Sequence, residues 1–147
     1  MMSYVKIMVH SVWGTKNREP LLIKEKRVEL FSHILENART KQIYIDTING
    51  YTDHVHCLIS LGVEQSIAKV IQLIKGESAY WANKEGLIKP KLEWAADYFA
   101  ESISDSSMQK VRDYINHQEE HHKKVSFAEE YDKFITTRRL HVAKAGE

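Results

Sequence analysis

"QIYIDTINGYTDHVHCLISL", residues 42–61, holds two runs of alternating apolar and polar residues on either side of Asn49-Gly50. Alternation with a period of two marks a strand with one buried face, and Asn-Gly between two such runs is a strong hairpin signal. The stretch therefore predicts an antiparallel pair, one strand over Gln42–Ile48 and the next from Asp53 to Leu61. In the second strand, His54 and His56 share one face while Val55, Cys57 and Ile59 point to the other.

Working outward, Val5, Ile7 and Val9 alternate with Tyr4, Lys6, Met8 and His10, predicting an earlier strand that runs to Trp13. Between the two lies a helical pattern from Ile23 to Lys41, with Val28, Phe31, Leu35 and Ala38 as its apolar stripe. After the hairpin, Ser66 is placed to cap a helix that buries Ile67, Val70, Ile71, Ile74 and Trp81 and stops at Gly86. Trp94–Ser104 reads as a fourth strand, and Asp105, Ser106 and Ser107 offer caps for a helix over Met108–His122. Ser126 with Glu129 has capping-box spacing and opens a last helix packed through Phe127, Tyr131 and Phe134. This order gives an α+β class: a ferredoxin-like (RRM-like) antiparallel sheet with helices on one face, plus C-terminal helices, in one domain over residues 1–147. The other face of the sheet is expected to be free for a ligand. Thr136–Glu147 carries no pattern that assigns it a role.

Composition narrows the function classes. Of the 147 residues, 43% are hydrophobic and 28% charged, as in soluble globular proteins. No run approaches the roughly 18 apolar residues of a membrane span. The first residues lack the cleavage site of a signal peptide, and Cys57 is the single cysteine, so a cytoplasmic protein without disulfides and without a membrane partner is expected. A net charge of +1 offers no global attraction for nucleic acid. Anion binding must rest on local clusters, one around Lys16, Arg18, Lys24, Lys26 and Arg27, the other around Lys110, Arg112, Lys123 and Lys124.

Two imidazoles on one strand face can reach a single divalent ion, with Asp53 beside them as a ligand or an orienting partner. A lone His-x-His is most often a pair of solvent-facing residues, so a second signal is needed. It comes from "YINHQ", residues 114–118: Gln118 occupies a place where the helical stripe calls for an apolar residue, and Tyr114 is its neighbour one turn back. His121 and His122 read as a charged helix end, because adjacent helix residues point about 100° apart. His10 reads as a surface or outer-sphere group, and Trp13, Trp81 and Trp94 as core or dimer contacts.

Together, "DHVH" at 53–56, "YINHQ" at 114–118, and the flanks "VHSVWGTKNREPLL", "IKGESAYWAN" and "HHKKVSFAEEYDKFI" resemble the single-tyrosine HUH transposases. That family comprises small insertion-sequence transposases and repetitive-palindrome-associated tyrosine transposases. The resemblance implies a metal-dependent endonuclease and strand transferase acting on single-stranded DNA. It implies that His54, His56 and Gln118 hold one divalent metal, Mg or Mn, and that Tyr114 is the nucleophile. It further implies a DNA partner carrying a hairpin and a homodimer in which one subunit's tyrosine can complete the other's site. Lys16, Arg18, Lys123 and Lys124 are the expected phosphate contacts. Two other readings stand beside it: a metal-dependent phosphoester hydrolase using the same histidines, and a nonenzymatic nucleic-acid-binding domain.

Overall fold

A computed structural model of the chain describes residues 2–138. The most alternating segments form its sheet: β1 (Met8–Gly14), β2 (Tyr44–Tyr51), β3 (His54–Ser60) and β4 (Phe99–Ile103). All neighbours are antiparallel in the order β2-β3-β1-β4, the ferredoxin-like arrangement expected. Helix α1 (Lys24–Thr40) connects β1 to β2, and α2 (Ile67–Lys84) connects β3 to β4. Three helices follow: α3 (Met108–Asn116), α4 (Gln118–His122) and α5 (Phe127–Arg138).

The sheet's two faces carry different cores. On one, Trp13, Val55, Cys57 and Ile59 pack against Leu30, Phe31, Ile34 and Ala38 of α1 and Val70, Ile71, Ile74 and Ala82 of α2. On the other, Val12 and Phe99 lie under Phe127, Tyr131 and Phe134 of α5, while Met8 and Leu58 lie under Met108 and Ile115. The face expected to be free is thus covered by the C-terminal helices. The apolar residues of that face account for it, since Val12, Leu58 and Phe99 would otherwise be left in water.

Several boundaries differ from the sequence reading for local reasons. Strand β1 starts at Met8, where its partners Ser60 and Ile103 end, so among the described residues Val5 and Ile7 have no neighbouring strand, and they stay 44% exposed. The hairpin turns at Thr52-Asp53, and Asn49-Gly50 lies inside β2 opposite His56 and Val55. A Cβ on Gly50 would stand 2.2 Å from the His54 carbonyl oxygen, so glycine is there for close approach. In the α1 stripe Phe31 and Ala38 are buried as expected, whereas Val28 is exposed and Arg27 buried, its guanidinium donating to Leu22 O and Glu119 Oε1. Ser66 caps α2 by accepting from Lys69 N, and Gly86 follows with φ 65°. Of the long fourth strand only Phe99–Ile103 pairs along β1, with Trp94 touching Thr15 in an isolated bridge. The helix expected over Met108–His122 breaks at His117 (φ −106°, ψ 31°), whose Nδ1 lies 2.6 Å from Asp113 O. The segment from residue 139 onward, most of the unassigned C-terminal stretch, lies outside the described residues.

Candidate active site

Strand parity aims the first side chains. His54 and His56 share the face of Val12 and Gly14, and each is fully buried. His10, two residues along β1 from Val12, shares that face and is only 4% exposed, which corrects its reading as a surface group. Its ring stacks on His56, with His10 Nε2 at 2.9 Å from His56 Nδ1. Burial lowers the pKa of His10 to about 3 and that of His56 to about 4, so both rings are neutral near pH 7.

The break at His117 aims the next ones. It turns Gln118 inward to complete burial, where Nε2 donates to Tyr114 O at 3.1 Å and Oε1 faces the histidines. Gln118 Oε1 stands 3.0 Å from His54 Nε2 and 2.9 Å from His122 Nε2. His122, discounted in the sequence together with His121, therefore belongs to the cluster. The two adjacent rings stand edge to face with centres 4.7 Å apart, and each meets a different oxygen of Glu130 on α5: His121 Nε2 is 2.9 Å from Oε2, and His122 Nε2 is 3.5 Å from Oε1. Glu130 Oε1 also lies 3.3 Å from His56 Nε2 and 3.7 Å from His54 Nε2.

Hydrogen bonding decides what these atoms offer. His54 Nδ1 meets Asp53 Oδ1 at 2.8 Å and His122 Nδ1 meets Val125 O at 2.6 Å. Both partners only accept, so both Nδ1 atoms donate to them and each Nε2 is the atom turned inward. Gln118 Oε1 is also an acceptor, since its amide nitrogen is committed to Tyr114 O. His56 Nε2 and Glu130 Oε1 are buried with no aligned hydrogen-bond partner among the described residues. Nitrogen and oxygen atoms able to act as donors to a cation thus converge on one point, with two of them lacking a hydrogen-bond partner among the described residues. The donor atoms of His54, His56, His122 and Glu130 all lie within 4.8 Å of one another, so the residues present fit a metal ion. A proton on His122, whose pKa the Glu130 carboxylate raises against the effect of burial, fills part of that demand.

Tyr114 comes to the same point in the same chain. Its ring centroid is 5.7 Å from that of His56, and its hydroxyl donates to Glu130 Oε2, with His121 Nε2 at 3.3 Å. Burial, then the Glu130 carboxylate, raises the Tyr114 pKa. Burial alone would raise Glu130 too, but the neighbouring His122 and His56 rings and the Tyr114 hydroxyl outweigh it and hold the carboxyl well below its ordinary range. The proton accordingly rests on the phenol.

Of the expected phosphate contacts, Lys16 pairs with Glu93 at 3.2 Å and the Arg18 guanidinium lies 5.7 Å from the Phe127 ring centre. Lys123 and Lys124 are exposed just after His122. Sequence reasoning missed His122 and Glu130. A legible signal for Glu130 existed: it sits three residues after Phe127 and four before Phe134, a carboxylate within the apolar stripe of α5.

The chain's similarities lie in one direction. The family model described as "Transposase IS200 like" matches residues 3–118. The ISDra2 transposase TnpA of Deinococcus radiodurans is 28% identical over 115 residues, which cover 74% of this chain and 81% of that protein. A solved structure of a candidate transposase from D. radiodurans R1 superposes with a TM-score of 0.62 at 22% identity, covering 80% of this chain and 95% of the other. The structure of a REP-associated tyrosine transposase bound to a REP hairpin gives 0.63 at 16% identity, covering 100% and 95%. At these identities the two solved structures show a shared fold.

Proposed function

Because the chain belongs to the IS200-like transposase family, enzymes of DNA transposition, we propose that it cuts and rejoins single-stranded DNA with Tyr114 as nucleophile. The observation that carries this reading is the meeting, within one chain, of the Tyr114 ring with the buried His56 ring, while its hydroxyl is held by Glu130, whose other oxygen faces His54 and His56, and Gln118 Oε1 faces His54. Tyr114 then serves its own subunit's site. A cation bound there would polarise the scissile phosphate and offset charge on its oxygens. His54, His56 and Gln118 help to hold it, and Asp53 and His10 orient the two imidazoles.

In the reaction the Tyr114 oxygen bonds to phosphorus and the bond from phosphorus to the 3′ oxygen breaks. This leaves a 5′-phosphotyrosine and, once protonated, a free 3′-hydroxyl. The phenolic proton departs toward Glu130, which already accepts it in a hydrogen bond. Because the new bond is itself a phosphodiester, a second 3′-hydroxyl can displace the tyrosine and join strands without a nucleotide triphosphate. A DNA hairpin, the ligand of the REP-associated relative, is the substrate class assigned here. Lys16, Arg18, Lys123 and Lys124 flank the site as phosphate contacts.

The test is incubation of the protein with Mn and end-labelled single-stranded hairpin oligonucleotides, followed by denaturing electrophoresis. A protein–DNA adduct that keeps the label 3′ to the cut, present in wild type and absent from Tyr114→Phe, is the expected result. Cleavage that persists in Tyr114→Phe would replace this reading with the hydrolase, and binding without an adduct would replace it with the binding module.

A further inference from the structure

A groove of about 500 Å³ runs between α2 and the segment 92–98, outside the site described above. Gln72, Lys75 and Gly76 of α2 line one side and Trp94 and Tyr98 the other, with Glu93 at the rim. Gly76 stands in the middle of an 18-residue helix, where glycine lowers stability relative to alanine, yet a Cβ there would meet nothing within 4 Å. The partly buried Lys75 donates to Ala95 O at 2.6 Å and Asp97 O at 3.4 Å, neutral carbonyls that leave its ammonium without an ion pair among the described residues. Trp94 is also only partly buried, and its indole is held in place: Nε1 donates to Ser78 Oγ at 3.1 Å, and the ring meets Trp13 edge to face. Backbone links this groove to the candidate active site. Ala95 N donates to Gly14 O at 2.9 Å, and Gly14 pairs with His54 across β1 and β3. Lys16 N donates to Glu93 O at 2.9 Å, and the Lys16 ammonium offsets the Glu93 carboxylate at 3.2 Å. Two residues on, Arg18 lies over Phe127, which is stacked flat on His54 with ring centres 4.2 Å apart.

We propose that this groove binds an unpaired nucleotide of the substrate strand, outside the hairpin. The inference rests on the single-stranded-DNA reading above and gives that strand a second anchoring point. A nucleotide brings one flat ring and one negative charge. Trp94 and Tyr98 offer aromatic surface on which any base can stack, and Gln72 can meet a base edge as donor or acceptor. Lys75 keeps a third N–H for the phosphate, the anion its charge lacks. Gly76 leaves the helix backbone bare where the nucleotide would come against it. A strand that crosses Arg18 and Lys16 as it leaves the site arrives at the rim by Glu93.

Fluorescence anisotropy of labelled oligonucleotides tests this on the full chain, with chelator present so that no cleavage intervenes. The probes are a bare hairpin and the same hairpin carrying a short run of unpaired thymidines 5′ or 3′ of its stem. The proteins are wild type, Gly76→Leu and Lys75→Met, each checked for folding by circular dichroism. Gly76→Leu fills the groove from a position where a side chain meets no neighbour, so it keeps the test valid should Lys75→Met unfold. In wild type at least one tail should tighten binding about tenfold, and both variants should lose that gain while binding the bare hairpin as wild type does. For the favoured tail, the slope of log affinity against log salt should shrink by about 0.7 in Lys75→Met, the share of one single-strand phosphate. Tails that add nothing in wild type, or a gain that survives in folded Gly76→Leu, would overturn the assignment. So would a wild-type dimer that Gly76→Leu dissociates, which would give the groove to a second copy of the chain. Adduct formation through Tyr114 is read separately, so its absence would count against the reading above and leave the groove standing.

Discussion

Both oxygens of the Glu130 carboxylate are engaged, one facing the histidines and the other taking the Tyr114 hydroxyl. The proposed nucleophile therefore rests as a protonated phenol against a buried carboxylate. Removing that hydroxyl separates chemistry from structure. Tyr114→Phe should lose adduct formation by several orders of magnitude while changing unfolding free energy by only about 1 kcal/mol, because His121 still bonds Glu130. Denaturant unfolding alongside the adduct assay checks both halves. The outer partners are as informative. Asp53 fixes which nitrogen of His54 faces inward, so Asp53→Ala should weaken cation affinity roughly 10–100-fold, measurable by calorimetry, with secondary structure unchanged. At this scale the sequence was informative wherever a side chain's direction follows from parity. His54 and His56 sit on a strand, and two residues on from each other they must share a face. His122 and Glu130 obey no such local rule.

At the scale of elements, two features of β2 hold the site's frame. Gly50 lets β2 and β3 approach closely at the hairpin end that carries His54. Gly50→Ala should cost about 3 kcal/mol in denaturant unfolding, because the intruding Cβ meets backbone, which cannot rotate away. Farther along, the strand bulges between Ile45 and Thr47, and Asp46 takes a bidentate pair from Arg112 of the tyrosine helix, both contacts at 2.9 Å. Asn49 Nδ2 donates to Ile115 O at 2.9 Å, so α3 is pinned on both sides of Tyr114. The hydrogen bond from Arg112 lowers the Asp46 pKa below its usual 3.8. A carboxyl depressed in the folded state adds stability above its ordinary pKa and loses it as pH falls through the lowered value. Wild type should thus exceed Asp46→Asn in stability at pH 7, with the gap closing below about pH 4, as melting curves at several pH values would show. Element type was legible because periodicity is local. The break in the predicted helix over Met108–His122 was not, since it depends on burying Gln118 and on the bond of the His117 ring to Asp113 O.

For the whole molecule, the convergent donor atoms of His54, His56, His122 and Glu130 come from one strand of the sheet and two C-terminal helices, so a metal bound among them should act as a clasp. Manganese or cobalt at 100 times its dissociation constant should add about 2.7 kcal/mol to unfolding, and chelation should remove it. Differential scanning calorimetry with and without chelator reads this directly, and an unchanged transition would mean that no cation bridges the elements. Among the described residues no helix is long and apolar enough to cross a membrane. The sequence by itself determined the ferredoxin-like order of strands and helices, the family, and the pairing of His54 with His56 and of Tyr114 with Gln118, because each of these is written within a few residues of chain. Only the tertiary structure decided that the sheet's second face is covered, that His10 is buried, and that His122 and Glu130 stand beside the histidine pair. Those outcomes depend on where α4 and α5 come to rest, and that is set by the apolar surface of Val12, Leu58 and Phe99 together with the Arg27–Glu119 tie, contacts between residues far apart in the chain.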